Sequence, residues 1–204
     1  MSDAKIALGV VGLAFLARLV TVMGTALFGT DSGQLLLMAD LIVDGRFHEA
    51  LTITYHPMYP LLVAAARPLF GEAERAGFWI SILLGSAAAA PLFLAARDVF
   101  GRAAAFLTAV LYAFHPQTLD VHGDIMTEGA FAFFFFSALW LTGRNLETPS
   151  IEGGVLAGLA AAASYLTRPE GILAVALAVG WHLAELRRRR ERPILRGGAA
   201  VLTL

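Results

Sequence analysis

The sequence contains no cysteine and few charged residues, and both absences restrict its fold and function. Without cysteine the chain has neither disulfides nor thiolate metal sites, and the composition does not reveal its redox compartment. Charged residues make up 15% of the 204 residues and hydrophobic residues 58%, whereas a soluble domain has about 25% charged residues. One soluble core of this size cannot bury so much apolar material, which argues against a soluble enzyme and against disorder. The composition therefore indicates a polytopic membrane protein.

The sequence also lacks an excess of charge of either sign and the familiar cofactor-binding patterns. Its net charge of −1 argues against a general nucleic-acid binder, so no nucleic-acid partner is expected. It has no Walker loop, no Rossmann fingerprint and no zinc-protease helix. Function must therefore be sought in individual polar residues beside the apolar segments.

Six apolar segments approach the length of about 20 residues that a helix needs to cross the hydrocarbon core of a bilayer. They predict an all-α fold, a polytopic transmembrane helix bundle of six spans. After the sixth span, Gly197–Leu204 is predicted to be the start of a seventh. The six segments are Ile6–Phe28, Ala76–Ala96, Ala103–Leu119, Ile125–Thr142, Ile151–Thr167 and Ile172–Leu186.

Two further apolar stretches are predicted to be juxtamembrane helices that lie at the outer membrane surface. Ser32–Asp44 carries two acids one helical turn apart, and Pro57–Phe70 is too short and too rich in proline to cross. They form an outer loop, residues 32–70, within a single transmembrane region of residues 1–204. With these two stretches outside, most basic residues fall on the side of the N-terminus, which the positive-inside rule makes cytoplasmic. Most acidic residues then lie on the outer face, where we expect the chemistry.

Acidic residues at the outer ends of two predicted spans are the first candidates for that chemistry. Asp31 follows the first span, where it can cap the next helix or act as a general base towards a hydroxyl. Glu128 is expected one turn inside the fourth span, where an ionisable group requires a cavity or a partner. Asp124 precedes Glu128 by four residues and is either an exposed loop acid or a member of the same site.

Basic residues supply the other candidates. Arg168 follows the fifth span, and its guanidinium suits either an ion pair with Glu170 or a bound phosphate group. His56 precedes Pro57 and is either a helix-entry residue or a metal ligand. Arg18 lies inside the first span and requires a partner within the bundle.

The order of these features resembles the N-terminal part of the GT-C membrane glycosyltransferases. The most similar pattern is that of the PMT-like enzymes (family 39 and its relatives), which include protein O-mannosyltransferases and the aminoarabinose transferase of lipid A. Many relatives carry a second acid where this chain has Ser32, and they are much longer, so we expect a fragment or one part of a split gene. The resemblance rests on Asp31, Leu35–Phe47 with Gly45, His56-Pro57-Met58-Tyr59, Leu69-Phe70-Gly71, Arg75, Thr127-Glu128 and Leu166-Thr167-Arg168-Pro169-Glu170-Gly171.

The resemblance implies an enzyme that moves a sugar, with inversion, from a polyprenyl-phosphate donor to a hydroxyl on the outer face of the membrane. The acceptor is a lipid, a protein or a glycan, and a divalent metal of unknown ligands is compatible with the reaction. The family's catalytic acids map onto Asp31 and Glu128, and the basic residue that holds the lipid phosphate maps onto Arg168. Further substrate-binding candidates are Asp124, His56 and Tyr59. The expected location is a bacterial inner (plasma) membrane, in contact with membrane lipids and with the N-terminus in the cytoplasm.

Two other interpretations stay open on the sequence alone. The chain is compatible with a transporter or channel fragment, in which the outer acids bind cations or protons, although transporters tend to place charge near the midplane at broken helices. It is also compatible with a catalytically incomplete fragment that keeps the first half of the glycosyltransferase fold.

Overall fold

The computed structural model of the chain describes residues 2–23, 29, 31–122 and 124–201. These residues form helices and connecting turns without any strand, which confirms the predicted all-α class. A 3₁₀ turn at Pro169–Gly171 separates the last two helices. The helices are α1 (Asp3–Met23), α2 (Ser32–Val43), α3 (Phe47–Ala50), α4 (Met58–Phe70), α5 (Ala73–Ala87), α6 (Ala89–Phe100), α7 (Arg102–Phe114), α8 (Pro116–His122), α9 (Glu128–Glu147), α10 (Ile151–Thr167) and α11 (Ile172–Val201).

Two helical segments of the described chain are candidate membrane spans by length and composition. The first is Asp3–Val22, and the second is Ala73–Phe100, in which α5 and α6 meet at a turn at Ala88. Pro91 accounts for this interruption, because proline lacks the amide hydrogen that would bond to the carbonyl four residues earlier. The apolar helices α2, α4, α7 and α10 are shorter. The count of six spans therefore stays a prediction.

Two predicted segments have different boundaries in the structure. The segment predicted at Ala103–Leu119 is broken at His115, whose extended backbone (ψ 124°) follows from the proline after it. The segment predicted at Ile125–Thr142 begins instead at Glu128, so this acid is the first residue of α9 and not one turn inside it.

The ends of the chain also differ from the prediction where they are described. Helix α11 continues through the arginine run to Val201, so the described part of the predicted seventh segment extends this helix. Residues 202–204 of that segment, and residues 24–28 of the first predicted span, lie outside the described residues.

Small residues allow the helices of the bundle to approach closely. Helix α1 packs against α6 and α7 through fully buried alanines, among them Ala14, Ala89 and Ala109. Helices α2 and α4 pack on the start of α5 around Leu35 and Val63. Alanine contacts also join α9, α10 and α11. Such packing suits helices in lipid, where association depends on close van der Waals contact.

One charged side chain, Arg18 of α1, is fully buried in this bundle. Its Nη1 donates a hydrogen bond to the Ala14 carbonyl (3.1 Å), and its guanidinium carbon lies 5.1 Å from the centre of the Tyr112 ring. The Tyr112 hydroxyl donates to the Gly85 carbonyl at 2.7 Å. The predicted partner of Arg18 in the bundle is therefore an aromatic ring, through a cation–π contact.

Helix α1 separates two ends of the bundle by about 30 Å, since each helical residue adds about 1.5 Å. At its start, Asp3 pairs with Arg97 of α6 and Arg102 of α7, and we call this the arginine end. Beyond the last residue of α1, the Gly29 amide donates a hydrogen bond to the Asp124 carboxylate, which lies just before α9. The start of α9 and the end of α10 lie at this second end, which we call the cavity end.

Candidate active site

A cavity of about 320 Å³ opens at the cavity end, within the range of about 300–1,000 Å³ that is usual for small-molecule sites. Its walls come from the start of α2, the segment before α4, the start of α9 and the turn after α10. Four of the six candidate site residues line it together, although they are far apart in the sequence. The lining residues are Asp31, Leu35, Thr54, Tyr55, His56, Met126, Thr127, Glu128, Thr167, Arg168, Pro169 and Glu170.

Asp31 occupies the N-cap position of α2 but does not cap the helix with its side chain. Its carboxylate lines the cavity beside Tyr55. Hydrogen bonding to Asp31 is the main reason why the pKa of Tyr55 lies above its ordinary value. Among the described residues Asp31 forms no ion pair. This carboxylate is therefore placed to accept a proton from a bound group.

Asp124 fixes the backbone behind the cavity and is not one of its lining residues. Its Oδ2 accepts a hydrogen bond from the Gly29 amide and its Oδ1 from the Ile125 amide, both at 2.6 Å. The nearby Ser32 hydroxyl donates to the Ile125 carbonyl at 3.0 Å. Ser32 thus ties the start of α2 to the segment before α9.

Tyr59, predicted to bind substrate, is fully buried and does not reach the cavity. Its hydroxyl donates to the Gly77 carbonyl at 3.1 Å and lies 2.8 Å from the Ser81 hydroxyl oxygen. Because α4 turns this side of the helix towards α5, Tyr59 belongs to the core beneath the site.

Glu128 and Arg168 form an ion pair that joins α9 to the turn after α10. Oε1 of Glu128 accepts a hydrogen bond from Nη1 of Arg168, and the same Nη1 donates to the Thr127 hydroxyl at 3.2 Å. Both charged side chains are about 30% exposed, so they face the cavity without being fully desolvated. Thr127 is the N-cap residue of α9, yet its side chain does not cap the helix.

The sequence Thr-Arg-Pro-Glu-Gly turns Arg168 into the cavity. Arg168 is extended (φ −149°, ψ 145°), as expected for a residue that precedes proline, and the 3₁₀ turn follows. Gly171 closes this turn against the last turn of α10. A Cβ atom on Gly171 would lie only 2.3 Å from backbone atoms of Ser164 and Tyr165. Glycine is therefore required where the turn touches the helix.

Glu170 holds the other edge of the Arg168 guanidinium. Nε of Arg168 donates to Oε2 of Glu170 at 3.4 Å, and Nη2 donates to Oε1 at 3.3 Å. This hydrogen bonding is the main cause that lowers the pKa of Glu170. Burial opposes the charge of Arg168, but Glu170 and Glu128 outweigh that effect and raise the pKa of Arg168. The ion pair between Arg168 and Glu170, predicted from the sequence as an alternative to phosphate binding, is thus present.

His56 lines the cavity next to these groups. Its ring packs edge-on against Tyr165, with ring centres 5.4 Å apart, and its charge contributes to the low pKa of Glu170. The residues do not fit a divalent metal site: within the described part of the chain no three His, Cys, Asp or Glu side chains are grouped as ligands. Glu128 is moreover already engaged by Arg168.

A second, larger cavity of about 650 Å³ lies between α6, α9 and α11. Its walls are mainly apolar, with Trp140 and Trp181 among them, and its charged lining residues are the acids Asp98, Glu147 and Glu185. A phosphate group would find no cation among those lining residues. The smaller cavity combines the Arg168 guanidinium with the Asp31 carboxylate, which forms no ion pair within the described part of the chain. It is therefore the better candidate for an active site.

The sequence pattern did not single out Tyr55, and it predicted Glu170 only as an ion-pair partner of Arg168. The signal for Glu170 was its position two residues after Arg168 across a proline. Tyr55 has no comparable signal, because only the fold brings it to Asp31.

Comparison with known proteins identifies the family. The sequence profile of the family described as dolichyl-phosphate-mannose-protein mannosyltransferase matches residues 55–204, which include His56, Glu128 and Arg168 but not Asp31. No curated protein and no solved structure matches the chain. The match covers most of the chain and agrees with the resemblance found in the sequence. The protein therefore belongs to the dolichyl-phosphate-mannose-protein mannosyltransferase family of membrane glycosyltransferases.

Proposed function

We propose that the protein transfers a sugar from a polyprenyl-phosphate donor to an acceptor hydroxyl at the cavity, with inversion at the anomeric carbon. One observation carries this proposal: Asp31, Glu128 and Arg168 come from three separate segments and line a single cavity. The family description favours a mannosyl donor and a protein hydroxyl as the first substrates to test. Lipid and glycan hydroxyls are the next acceptors to test.

Asp31 is the general base of the proposed reaction. It accepts the proton of the acceptor hydroxyl while the hydroxyl oxygen forms a bond to the anomeric carbon. The bond between that carbon and the phosphate oxygen breaks, and the polyprenyl phosphate leaves with the electron pair. The support is that the Asp31 carboxylate neither caps α2 nor forms an ion pair among the described residues.

Arg168 stabilises the charge that develops on the leaving phosphate. A guanidinium presents paired N–H groups that match phosphate oxygens, and such donors act most strongly where charge appears in the transition state. Glu128 keeps Nη1 of Arg168 in place from the start of α9 and orients the acceptor beside it. These steps are written without a metal, since the described residues group no three His, Cys, Asp or Glu side chains as ligands.

We further propose that the cavity end faces the outside of the cell and the arginine end faces the cytoplasm. The absence of cysteine makes this directly testable by labelling single introduced cysteines with a membrane-impermeant maleimide. Glu72→Cys, just before α5 at the cavity end, is expected to react in intact cells. Thr148→Cys, between α9 and α10 at the opposite end, is expected to react only after permeabilisation. The reverse pattern would contradict the proposed orientation.

The central experiment measures sugar transfer by the protein in liposomes, with radiolabelled polyprenyl-phosphate mannose as donor and a Ser/Thr-rich peptide as acceptor. Asp31→Asn keeps the shape of the side chain but cannot accept the proton. General-base catalysis contributes about 10²–10⁴-fold, so the variant is expected to lose at least about 100-fold in rate. Asp44→Asn, at the far end of the same helix α2, is the matched control and should keep the wild-type rate.

Two results would contradict the proposal. Wild-type transfer by Asp31→Asn, at normal expression, would remove Asp31 as the base. Absence of transfer by the wild-type protein with mannosyl and other polyprenyl-phosphate donors, together with ion flux through the same liposomes, would favour the transporter interpretation.

A further inference from the structure

We propose that Glu170 is a place-holder for the donor phosphate: it accepts hydrogen bonds from the Nε/Nη2 edge of Arg168 before the donor binds and leaves that edge when the phosphate binds. This inference rests on the proposed function and deepens it. It assigns one edge of the guanidinium to the phosphate, and it makes Glu170 a residue that sets donor affinity.

The guanidinium of Arg168 has two edges with different partners. Its Nη1 is held by Glu128 and Thr127 at the start of α9. Its Nε and Nη2, the parallel pair that matches two oxygens of one anion, are both directed to Glu170. A phosphate that binds Arg168 in a bidentate manner must therefore displace one of these two carboxylates.

Glu170 is the carboxylate that is easier to displace. Its contacts with Arg168 are 3.3 and 3.4 Å long, beyond the usual N–H···O distance of about 2.9–3.0 Å. Its side chain is 53% exposed, whereas that of Glu128 is 29% exposed. An exposed carboxylate regains water when it turns away, so its ion pair with Arg168 has little net stability.

Charge requires the same movement. The cavity is lined by three carboxylates, those of Asp31, Glu128 and Glu170, against the Arg168 guanidinium and the His56 imidazole. A phosphate brought next to Arg168 would be repelled by Glu170 at the same edge. Rotation of Glu170 towards solvent removes this repulsion and frees two donors in one step.

Glu170→Gln tests the proposal through equilibrium binding of a polyprenyl phosphate to the detergent-solubilised protein. Because exposed ion pairs are weak, removal of the competing charge is expected to tighten binding by about two- to fivefold. Glu74→Gln is the matched control, since it removes one exposed acid at the same end of the bundle, in the first turn of α5. It should leave the affinity unchanged.

Two further binding experiments test whether the tighter binding depends on the phosphate and on the Nε/Nη2 edge of Arg168. A polyprenol without phosphate should bind equally to the wild type and to Glu170→Gln. In an Arg168→Lys background, which lacks the Nε/Nη2 edge, Glu170→Gln should no longer tighten polyprenyl phosphate binding.

Unchanged or weaker binding by Glu170→Gln, with normal wild-type affinity, overturns this proposal and leaves the proposed function intact. Equal tightening towards the polyprenol also overturns it, because the effect would then not depend on phosphate. Failure of the wild-type protein to bind polyprenyl phosphate overturns both proposals.

Discussion

Each end of the bundle places an arginine between two carboxylates, but the surroundings of the two arginines differ. At the arginine end, Arg97 pairs with Asp3 and Asp98, and Asp3 also pairs with Arg102 at 2.7 Å. At the cavity end, Arg168 pairs with Glu128 and Glu170, while Asp31 adds a third carboxylate to the same cavity. The first cluster has two charges of each sign, and the second has an excess of negative charge.

The difference separates a structural cluster from a candidate catalytic one. The balanced cluster satisfies its own charges and ties α1 to α6 and α7. The unbalanced cluster keeps carboxylates together beside open space, which is unfavourable unless a ligand or a proton completes it. The same residue types therefore stabilise the fold at one end and, in the proposed function, bind substrate at the other.

The largest expected effect comes from removing each arginine in turn. Arg168→Gln is expected to lower the transfer rate at least about 100-fold, the effect usual for losing a group that stabilises transition-state charge. Arg97→Gln should keep the rate of the folded enzyme but lower its stability by about 1–3 kcal/mol, since it breaks partly buried charged hydrogen bonds. Transfer assays and thermal melts of both variants check this comparison. Loss of activity in folded Arg97→Gln would contradict the assignment of a structural role to Arg97 and a catalytic role to Arg168.

A smaller effect is expected from the turn that aims Arg168. Gly171→Ala forces the backbone of Ser164 and Tyr165 to shift, because the new Cβ would lie 2.3 Å from it. Overpacking of this kind costs about 1–3 kcal/mol, and the displaced turn should lower the transfer rate about tenfold. Gly158→Ala, within the preceding helix α10 and with open space around its Cβ position, should be neutral or slightly stabilising. Similar melting temperatures for the two variants would show that the turn adapts.

The residues at the cavity show which parts of the candidate site could be predicted from the sequence. The length of the apolar segments predicted the helices. The acids Asp31 and Glu128 were singled out because a charged group near lipid requires a cavity or a partner. The sequence did not show that Tyr59 lies in the core, because it does not reveal which face of a short helix turns towards α5. The sequence also did not show that the two carboxylate oxygens of Asp124 accept hydrogen bonds from backbone amides, because such partners become visible only in the fold.

The boundaries of the helices show a similar limit. The break at His115 is a local consequence of the following proline, although the predicted segment ran on to Leu119. The start of α9 at Glu128 depends on contacts of the preceding segment with α2 and α5, which the local sequence does not encode.

The smallest expected effect is the pH dependence of the Arg168–Glu170 pair. The pKa of Glu170 is lower in the folded protein, mainly through its hydrogen bond to Arg168, so the unfolded chain binds this proton more readily. The pair therefore stabilises the fold above the ordinary glutamate pKa of about 4.3, and this stability is lost as the pH falls through the lower, folded pKa. Because the pair is exposed, Glu170→Gln should be less stable than the wild type by only about 0.2–1 kcal/mol at pH 7. Thermal melts from pH 7 to pH 3 should show the two proteins converging at low pH, and no such convergence in an Arg168→Gln background. A stability difference that persists at pH 3 would mean that Glu170 stabilises the fold through packing and not through its charge. Glu170 would then be a structural residue of the turn, and a phosphate could not take its place.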